Sequence, residues 1–425
     1  MLVFFIIIAS TERSGHSSFM GKFLTCLCST MAFMVMRQAK KGSKSMKSRV
    51  VLLSCDSYDE DKVYEKIKTG LSLLGGVDRF IKKDEKILLK LNLVRGAAVE
   101  RAVTTHPSVA IAVARILSEE GFKDIGAGDS SGFGSSVKIM EELGLKKPFD
   151  KYNVKLREFK SGQRVLYPQG IHAKDFVIAQ DVLDADAIIS LPKLKTHALE
   201  HITGAVKNQY GCVFGLNKAK GHTVYPSQES FAKMLIDLDK YVKPRLYIAD
   251  GITAMEGNGP TSGEPVAMNL ILMSDDPVAL DSVFCSLIYL PPENVPTNVF
   301  GKQMGLGTYL EDEIEIITQD GIVPLKEIVE KYGKPDFDVI RKKHVSKGIM
   351  GLVTGLRRFK ARPRIDEKLC RKCGICTEVC PVEGKAVKFK NGRSKPPVYD
   401  YKKCIRCFCC QEMCPHKAIY VKGKR

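Results

Sequence analysis

The chain of 425 residues has no tryptophan, 8 histidines, and no apolar run long enough to cross a bilayer. A span needs roughly 20 mainly apolar residues, and the two most apolar stretches, Leu2–Ala9 and Phe23–Met36, fall short of that. Leu2–Ala9 also lacks the basic residues that open a secretory signal. The most conspicuous glycine turn, Gly128–Gly132 (G-D-S-S-G), has no G-K-[ST] ending and is not a G-x-G-x-x-G fingerprint. Neither a nucleoside triphosphate nor a nicotinamide dinucleotide is therefore supported. The turn does fit a G-x-S-x-G elbow with Ser130 at its centre, but no partners for a triad can be assigned. Acidic residues are scarce in one region only. From Arg341 to Arg425 there are 6 Asp and Glu against 24 Lys and Arg, which accounts for the whole net charge of +18. No nucleic-acid-binding module accompanies that excess, so nucleic acid is set aside as a partner. A hydrophobic content of 44% with 27% charged residues is that of a globular chain.

Cysteine is plentiful, at 14 residues, and most of it is patterned. Cys370, Cys373, Cys376 and Cys380 precede Pro381, and Cys404, Cys407, Cys410 and Cys414 precede Pro415. Both runs read C-x2-C-x2-C-x3-C-P. Asp366 and Asp400 fall in the same register, which suggests an internal duplication. Zinc sites pair two C-x2-C units across a longer span, and disulfides give no reason for the repeat. The runs resemble bacterial two-cluster ferredoxins, in which the fourth cysteine of each run ligates the other cluster. That resemblance implies two [4Fe–4S] clusters. One would be held by Cys370, Cys373, Cys376 and Cys414, the other by Cys404, Cys407, Cys410 and Cys380. Cys409 is spare and is given no role. Such clusters argue for a reducing, cytoplasmic setting.

Taken in order, residues 1–45 look foreign to the rest, and a start at Met46 is the preferred reading over a membrane anchor. From 46 to 340 short apolar strands alternate with helices. Strands are expected at Arg49–Leu53, Lys86–Leu91, Asp124–Gly128, Ala187–Leu191, Leu246–Asp250 and Met268–Met273. Helices are expected at Ser108–Glu120, behind Thr105-His106-Pro107, and at Pro277–Leu290. The pattern implies an α/β fold: a mainly parallel sheet with helices on both faces. Residues 341–365 form a basic, glycine-containing linker. Residues 366–425 form a small α+β ferredoxin-like iron–sulfur domain.

Sites in such sheets gather at the C-terminal ends of the strands. Lys90 and Asn92 end one strand, the Gly128–Gly132 turn the next, Pro192–His197 another, and Asp250-Gly251 a fourth. A loop of glycines, Met255–Pro260, lies beyond it. Lys195, His197, Lys207 and Glu256 are the candidate catalytic groups. Asp129, Ser130, Ser131 and Lys193 are candidates for holding an anionic ligand. His222 and Asp250 join them as candidate metal ligands or acid–base groups.

The runs Pro192–His222, Gly128–Gly132 and Asp250–Pro260, with Asp275–Asp281, resemble the DUF362 family, whose members are often fused to a two-cluster ferredoxin. That resemblance implies the fold and the fusion, and no reaction. A distant similarity to the N-terminal part of nickel-pincer racemases is given little weight. The function expected is that of an iron–sulfur protein. Its ferredoxin module exchanges single electrons with a site or partner on the α/β domain, as a redox enzyme acting on a small anionic substrate. The basic tail would steer an acidic redox partner. The other class is a non-enzymatic carrier, an assembly factor or an oxygen-responsive sensor that uses the α/β domain for docking.

Overall fold

The computed structural model describes residues 47–132, 134–215, 217–340, 361–390 and 392–422. The expectations for residues 1–45 and for the linker residues 341–360 lie outside them. The strands are β1 Ser48–Ser54, β2 Ile87–Lys90, β3 Ile125–Asp129, β4 Val154–Glu158, β5 Gly162–Leu166, β6 Asp175–Ala179, β7 Ala187–Ser190, β8 Lys193–His197, β9 His201–Thr203, β10 Leu246–Glu256, β11 Glu264–Ser274, β12 Ile314–Thr318, β13 Gly321–Val323, β14 Arg362–Ile365, β15 Val387–Lys388, β16 Val398–Tyr399 and β17 Ile419–Lys422. The helices of eight or more residues are α1 Glu60–Leu73, α2 Pro107–Glu119, α3 Asn217–Val224, α4 Gln228–Val242, α5 Pro277–Leu287, α6 Pro296–Gln303 and α7 Leu325–Tyr332.

Eleven strands form one sheet in the order β13-β12-β1-β11-β10-β7-β2-β3-β4, with β8 and β9 continuing from β10. The block β10-β7-β2-β3-β4 is parallel throughout, and β11 runs antiparallel to both of its neighbours. The sheet is thus mainly parallel, as the sequence implies. Period-2 alternation sorts its side chains between the two faces, where they join three clusters. Val51 and Leu53 of β1 join Leu89 of β2 and helices α1 and α2 in one core. Val50 and Leu52 face the other way, with Phe284 of α5. Leu88 of β2 and Ile188 of β7 meet Phe231 and Leu235 of α4. Burying both faces explains why the strands read as short, nearly continuous apolar runs.

Helix α2 begins where the Thr105-His106-Pro107 signal places it. Pro107 takes the first turn, where its missing N–H costs nothing, and His106 Nδ1 accepts from the Ser108 amide at 3.2 Å.

Three expectations change in detail. The Pro192–His197 run does not simply end a strand, because Lys193–His197 is itself β8, paired with β10 and β9. Strand β10 runs on past Asp250 to Glu256, with a register shift between Gly251 and Thr253. The C-terminal module begins earlier than 366, because Arg362–Ile365 forms β14 and pairs antiparallel with β17. Those residues close the module instead of tethering it. Among the described residues no helix is long and apolar enough to cross a membrane.

Candidate functional site

The cysteine module carries its duplication in its hydrogen bonds. The Cys370 amide donates to Asp366 O and the Cys404 amide to Asp400 O, both at 3.0 Å. The Asp366 and Asp400 carboxylates each cap the amide two residues on, at 2.8 and 3.0 Å. Lys372 and Arg406 share left-handed backbone, as do Gly374 and Phe408, in the same register. That alternation curls each loop so that successive amides point inward, the geometry that holds an anion.

Two small cavities result. One is lined by Cys370, Cys373, Cys376 and Cys414, the other by Cys380, Cys404, Cys407 and Cys410. Each therefore takes three cysteines from one run and the fourth from the other. Among the described residues no three potential ligands converge as a single metal ion would require. Four thiols ringing an empty volume fit the corners of a cluster instead. Tyr399 donates to Cys410 Sγ at 3.1 Å, and the Ala386 amide approaches Cys380 Sγ at 3.3 Å. Both are the sulfur contacts that set a cluster's potential.

The module docks on the α/β domain through the turn Cys409–Glu412. Gln411 Nε2 donates to Asn258 O at 2.8 Å, and to Asn258 Oδ1 and Gly259 O at 3.1 Å each. Thr261 Oγ1 donates to Glu412 O at 2.6 Å. His197 Nε2 lies 2.9 Å from Glu412 Oε1. Its Nδ1 accepts from the Leu199 and Glu200 amides at 3.1 Å, so the ring proton sits on Nε2. The two side chains are close but poorly aligned, and neither atom gains a full hydrogen-bond partner. The module approaches Gly132 closely: a Cβ there would stand 2.9 Å from Met413 Sδ and 3.2 Å from Val94 O, so the Met413 side chain would have to shift.

Between the docked module and the strand ends lies a cavity of about 420 Å³. Asp129, Ser130, Thr203, Lys207, Lys218 and His222 line its α/β wall, and Cys380, Pro381, Cys409, Glu412 and Met413 line the opposite one. The floor is a network of ion pairs and hydrogen bonds. Lys90 pairs with Asp129 at 2.8 Å, and Asp129 Oδ2 accepts from the Leu93 amide at 2.7 Å. Asn92 donates to Asn208 Oδ1 at 2.8 Å. Lys195 donates to Asn92 Oδ1 at 2.7 Å and to Val103 O at 2.6 Å. Lys218 donates to Ser130 Oγ at 2.7 Å and also to the Ser130 and Ser131 carbonyls.

Other groups are not satisfied. No hydrogen bond or close ion pair among the described residues involves the Lys207 ammonium. Thr203 Oγ1, His222 Nδ1 and both Glu200 carboxyl oxygens are buried without partners.

Burial governs the charges. It pushes the Glu200 carboxyl up to about 8, against the pull of Lys207. It brings His197 and His222 down to about 4, with Lys207 repelling both and Glu412 opposing. Lys218 falls to about 8 by burial, with Asp129 opposing. Lys195 is held well below the usual ammonium range by burial and by Lys207 and Lys193.

The candidates from the sequence separate into two groups. Asp129, Ser130 and Lys207 line the cavity; His197 and Lys195 stand just behind its wall. Lys193 does not reach it. Its ammonium is locked 2.8 Å from both Asp250 Oδ2 and the Tyr58 hydroxyl, in a closed pair. Ser131 is spent on Gly134 O, at 2.6 Å, and Glu256 on the Asp338 amide, at 2.9 Å. Glu200, Thr203 and Glu412 were not among the candidates. Glu200 stands between His197 and His201, a spacing that could have flagged it. Glu412 lies inside the cysteine run and joins the cavity only through docking.

The comparisons with known proteins agree with this architecture. The family model described as a domain of unknown function, DUF362, matches residues 87–286, and a 4Fe–4S dicluster domain matches 362–415. A thylakoid-associated protein of Synechocystis is 36% identical over 262 residues, covering 61% of this chain and 81% of the relative. The chain belongs to the DUF362 family. The resemblance carried by Gly128–Gly132, Pro192–His222 and Asp250–Pro260 thus holds, and the DUF362 portion contains the whole α/β wall of the cavity. Among solved structures, the lactate racemase apoprotein of Thermoanaerobacterium thermosaccharolyticum aligns with a TM-score of 0.36 at 11% identity, over 54% of this chain and 55% of that one. A Thermotoga maritima protein aligns with a TM-score of 0.35 at 16% identity, over 53% and 57%. The chain spans a little over half the length of these two, and such scores say nothing of ligand or reaction.

Proposed function

We propose that this DUF362 protein is an iron–sulfur redox enzyme whose substrate, a small anion, binds in the cavity between its two parts. The observation that carries the reading is the composition of that cavity. One wall holds the unpaired Lys207 ammonium, and the other holds Cys380, one of the four cysteines around the nearer cluster-sized space. The eight cysteines would hold two [4Fe–4S] clusters, Cys370, Cys373, Cys376 and Cys414 around one and Cys404, Cys407, Cys410 and Cys380 around the other. Bound there, the clusters would supply single electrons at low potential.

The residues of the chain do the rest. Lys207 attracts the substrate, Asp129 and Lys90 fix the floor, and Lys218 holds a proton at the cavity wall. The module's outer face would receive an acidic redox protein. Arg371 and Lys372 stand beside Cys370 and Cys373 there, and Leu369 is 48% exposed. A carrier used only for docking would not need a cavity with unpartnered buried groups, which favours the enzyme.

Anaerobic reconstitution of the full chain should give about eight irons, and Cys380→Ser should remove about half of them. The reduced protein should be reoxidised faster by its substrate than by solvent alone. A reconstituted chain that holds iron, yet is reoxidised at one rate with every anion offered, would leave only the carrier reading.

A further inference from the structure

The cavity has a direction. Its α/β side carries the Lys207 ammonium, which no described residue pairs, Thr203 Oγ1, and His222 Nδ1 on a ring stacked 4.4 Å from Phe231, while on the module side Glu412 Oε1 stands opposite His197 without a full partner. Thr203 is 3% exposed and His222 5%, so neither finds its missing partner in bulk water. A buried donor or acceptor left without a partner costs about 1–3 kcal/mol. Two such groups and a lysine around one space indicate a ligand that satisfies them. The module side is different. Val379, Pro381 and Met413 present apolar surface there, and Pro260 and Val94 extend it.

Charge points the same way. Four cysteine thiolates around a cubane leave a net charge of about −2 when it is oxidised. Glu412 adds a carboxyl group to the module wall. Lys385 on that wall is spent on the Glu378 and Cys380 carbonyls, at 3.0 and 2.7 Å, so an anionic group is drawn to Lys207 instead.

We propose that the ligand of this cavity is an amphiphilic carboxylate, its carboxylate seated on Lys207, Thr203 and His222, and its uncharged, unsaturated or aromatic body lying on Val379, Pro381 and Met413. The inference rests on the cavity being the substrate site and narrows the substrate class. A compact polyanion such as a phosphate would leave the apolar surface of Val379, Pro381 and Met413 uncovered. The uncharged end is the one that faces Cys380.

Calorimetry on the full, anaerobically reconstituted chain tests this with three probes: trans-cinnamate, its neutral amide, and inorganic phosphate. Cinnamate is expected to bind at least about tenfold more tightly than either of the others, the margin of one charge-assisted hydrogen bond. Lys207→Met should remove that margin and leave the amide unchanged. Thr203→Val, which keeps the shape, should weaken cinnamate by a smaller factor and guards against a folding effect. Phosphate binding as tightly as cinnamate, a margin that survives Lys207→Met, or no binding of any probe would each overturn the proposal. Reoxidation of the dithionite-reduced protein is measured separately. Lys207-dependent binding without faster reoxidation leaves the carboxylate seat standing and removes the redox reading of the cavity.

Discussion

Two clusters of buried charge lie at the same edge of the sheet, and they differ in one respect. Around Lys193, every group is met. The ammonium reaches Asp250 and Tyr58, Tyr58 OH donates to Asp250 Oδ1 at 2.8 Å, and the His106 amide donates to Asp250 Oδ2 at 2.9 Å. The His106 ring stacks on Tyr58 at 3.5 Å between centroids, and neither lines the cavity. Around Lys207, the ammonium, a hydroxyl and an imidazole nitrogen are unmet, and a cavity lies beside them. Burial and perturbed charge are common to both places, so neither marks a binding site by itself. Incomplete hydrogen bonding beside the cavity separates the two: the first cluster is closed on itself, and the second, on our proposal, holds the ligand.

The sharpest way to break that contrast is Asp250→Ala. It strands the Lys193 ammonium in the interior, and the cost should be about 3–5 kcal/mol of stability in chemical denaturation. A loss below about 1 kcal/mol would show that the closed pair is not structural.

The next effect is on pH dependence. Glu200 is raised from its ordinary 4.5 to about 8 in the folded chain. Between those values the folded state binds more protons than the unfolded one, so this carboxyl makes stability fall as pH rises. His197 and His222, lowered from 6.5 to about 4, act oppositely and make stability fall as pH drops through that window. Glu200→Gln should flatten the decline between about pH 7.5 and 8, well above the ordinary histidine value of 6.5, where both histidines are mostly neutral in either state. An unchanged slope in urea titrations across that window would mean that Glu200 is already ionised.

Smaller again is Gln411→Ala, which removes three donor contacts to Asn258 and Gly259. It should cost about 1–3 kcal/mol and speed amide exchange in the loop from Gly257 to Thr261, without loss of iron. Equal protection in the variant would place the docking energy elsewhere. The smallest effect expected is from Lys207→Met on stability, within about 0.5 kcal/mol, because the ammonium makes no hydrogen bond or close ion pair with any described residue. A larger loss would make Lys207 structural and erase the difference between the two clusters.

Much of the chain could be read without coordinates. The cysteine spacing, the duplicated aspartates, and the strands around Val51, Leu89, Ile189 and Ile248 depend on local patterns of two, three or thirty-four residues. Strand-end position named its candidates from the same kind of pattern. It led to Asp129, Ser130 and Lys207, and with equal force to Lys193, Ser131 and Glu256. Periodicity puts a side chain at an edge but says nothing of what meets it there. Lys193 is answered by Asp250 on β10 and by Tyr58 ahead of α1, 57 and 135 residues away. Thr203, Glu200 and Glu412 matter because the module docks and because some partners are missing, and neither fact is written in any short window.

The turn Cys409–Glu412 has a consequence for modularity. In four successive residues it carries a cavity-lining thiol, a cysteine of the nearer cluster space, the amide that grips the glycine loop, and the carboxylate opposite His197. Ferredoxin units look like interchangeable parts, since any two-cluster sequence can bind iron. Here an exchange would keep the metal and lose the seam. A transplanted unit without Gln411 and Glu412 would hang from its tether, with the far wall of the cavity gone. The two halves of this protein can diverge only together, along the line where they touch.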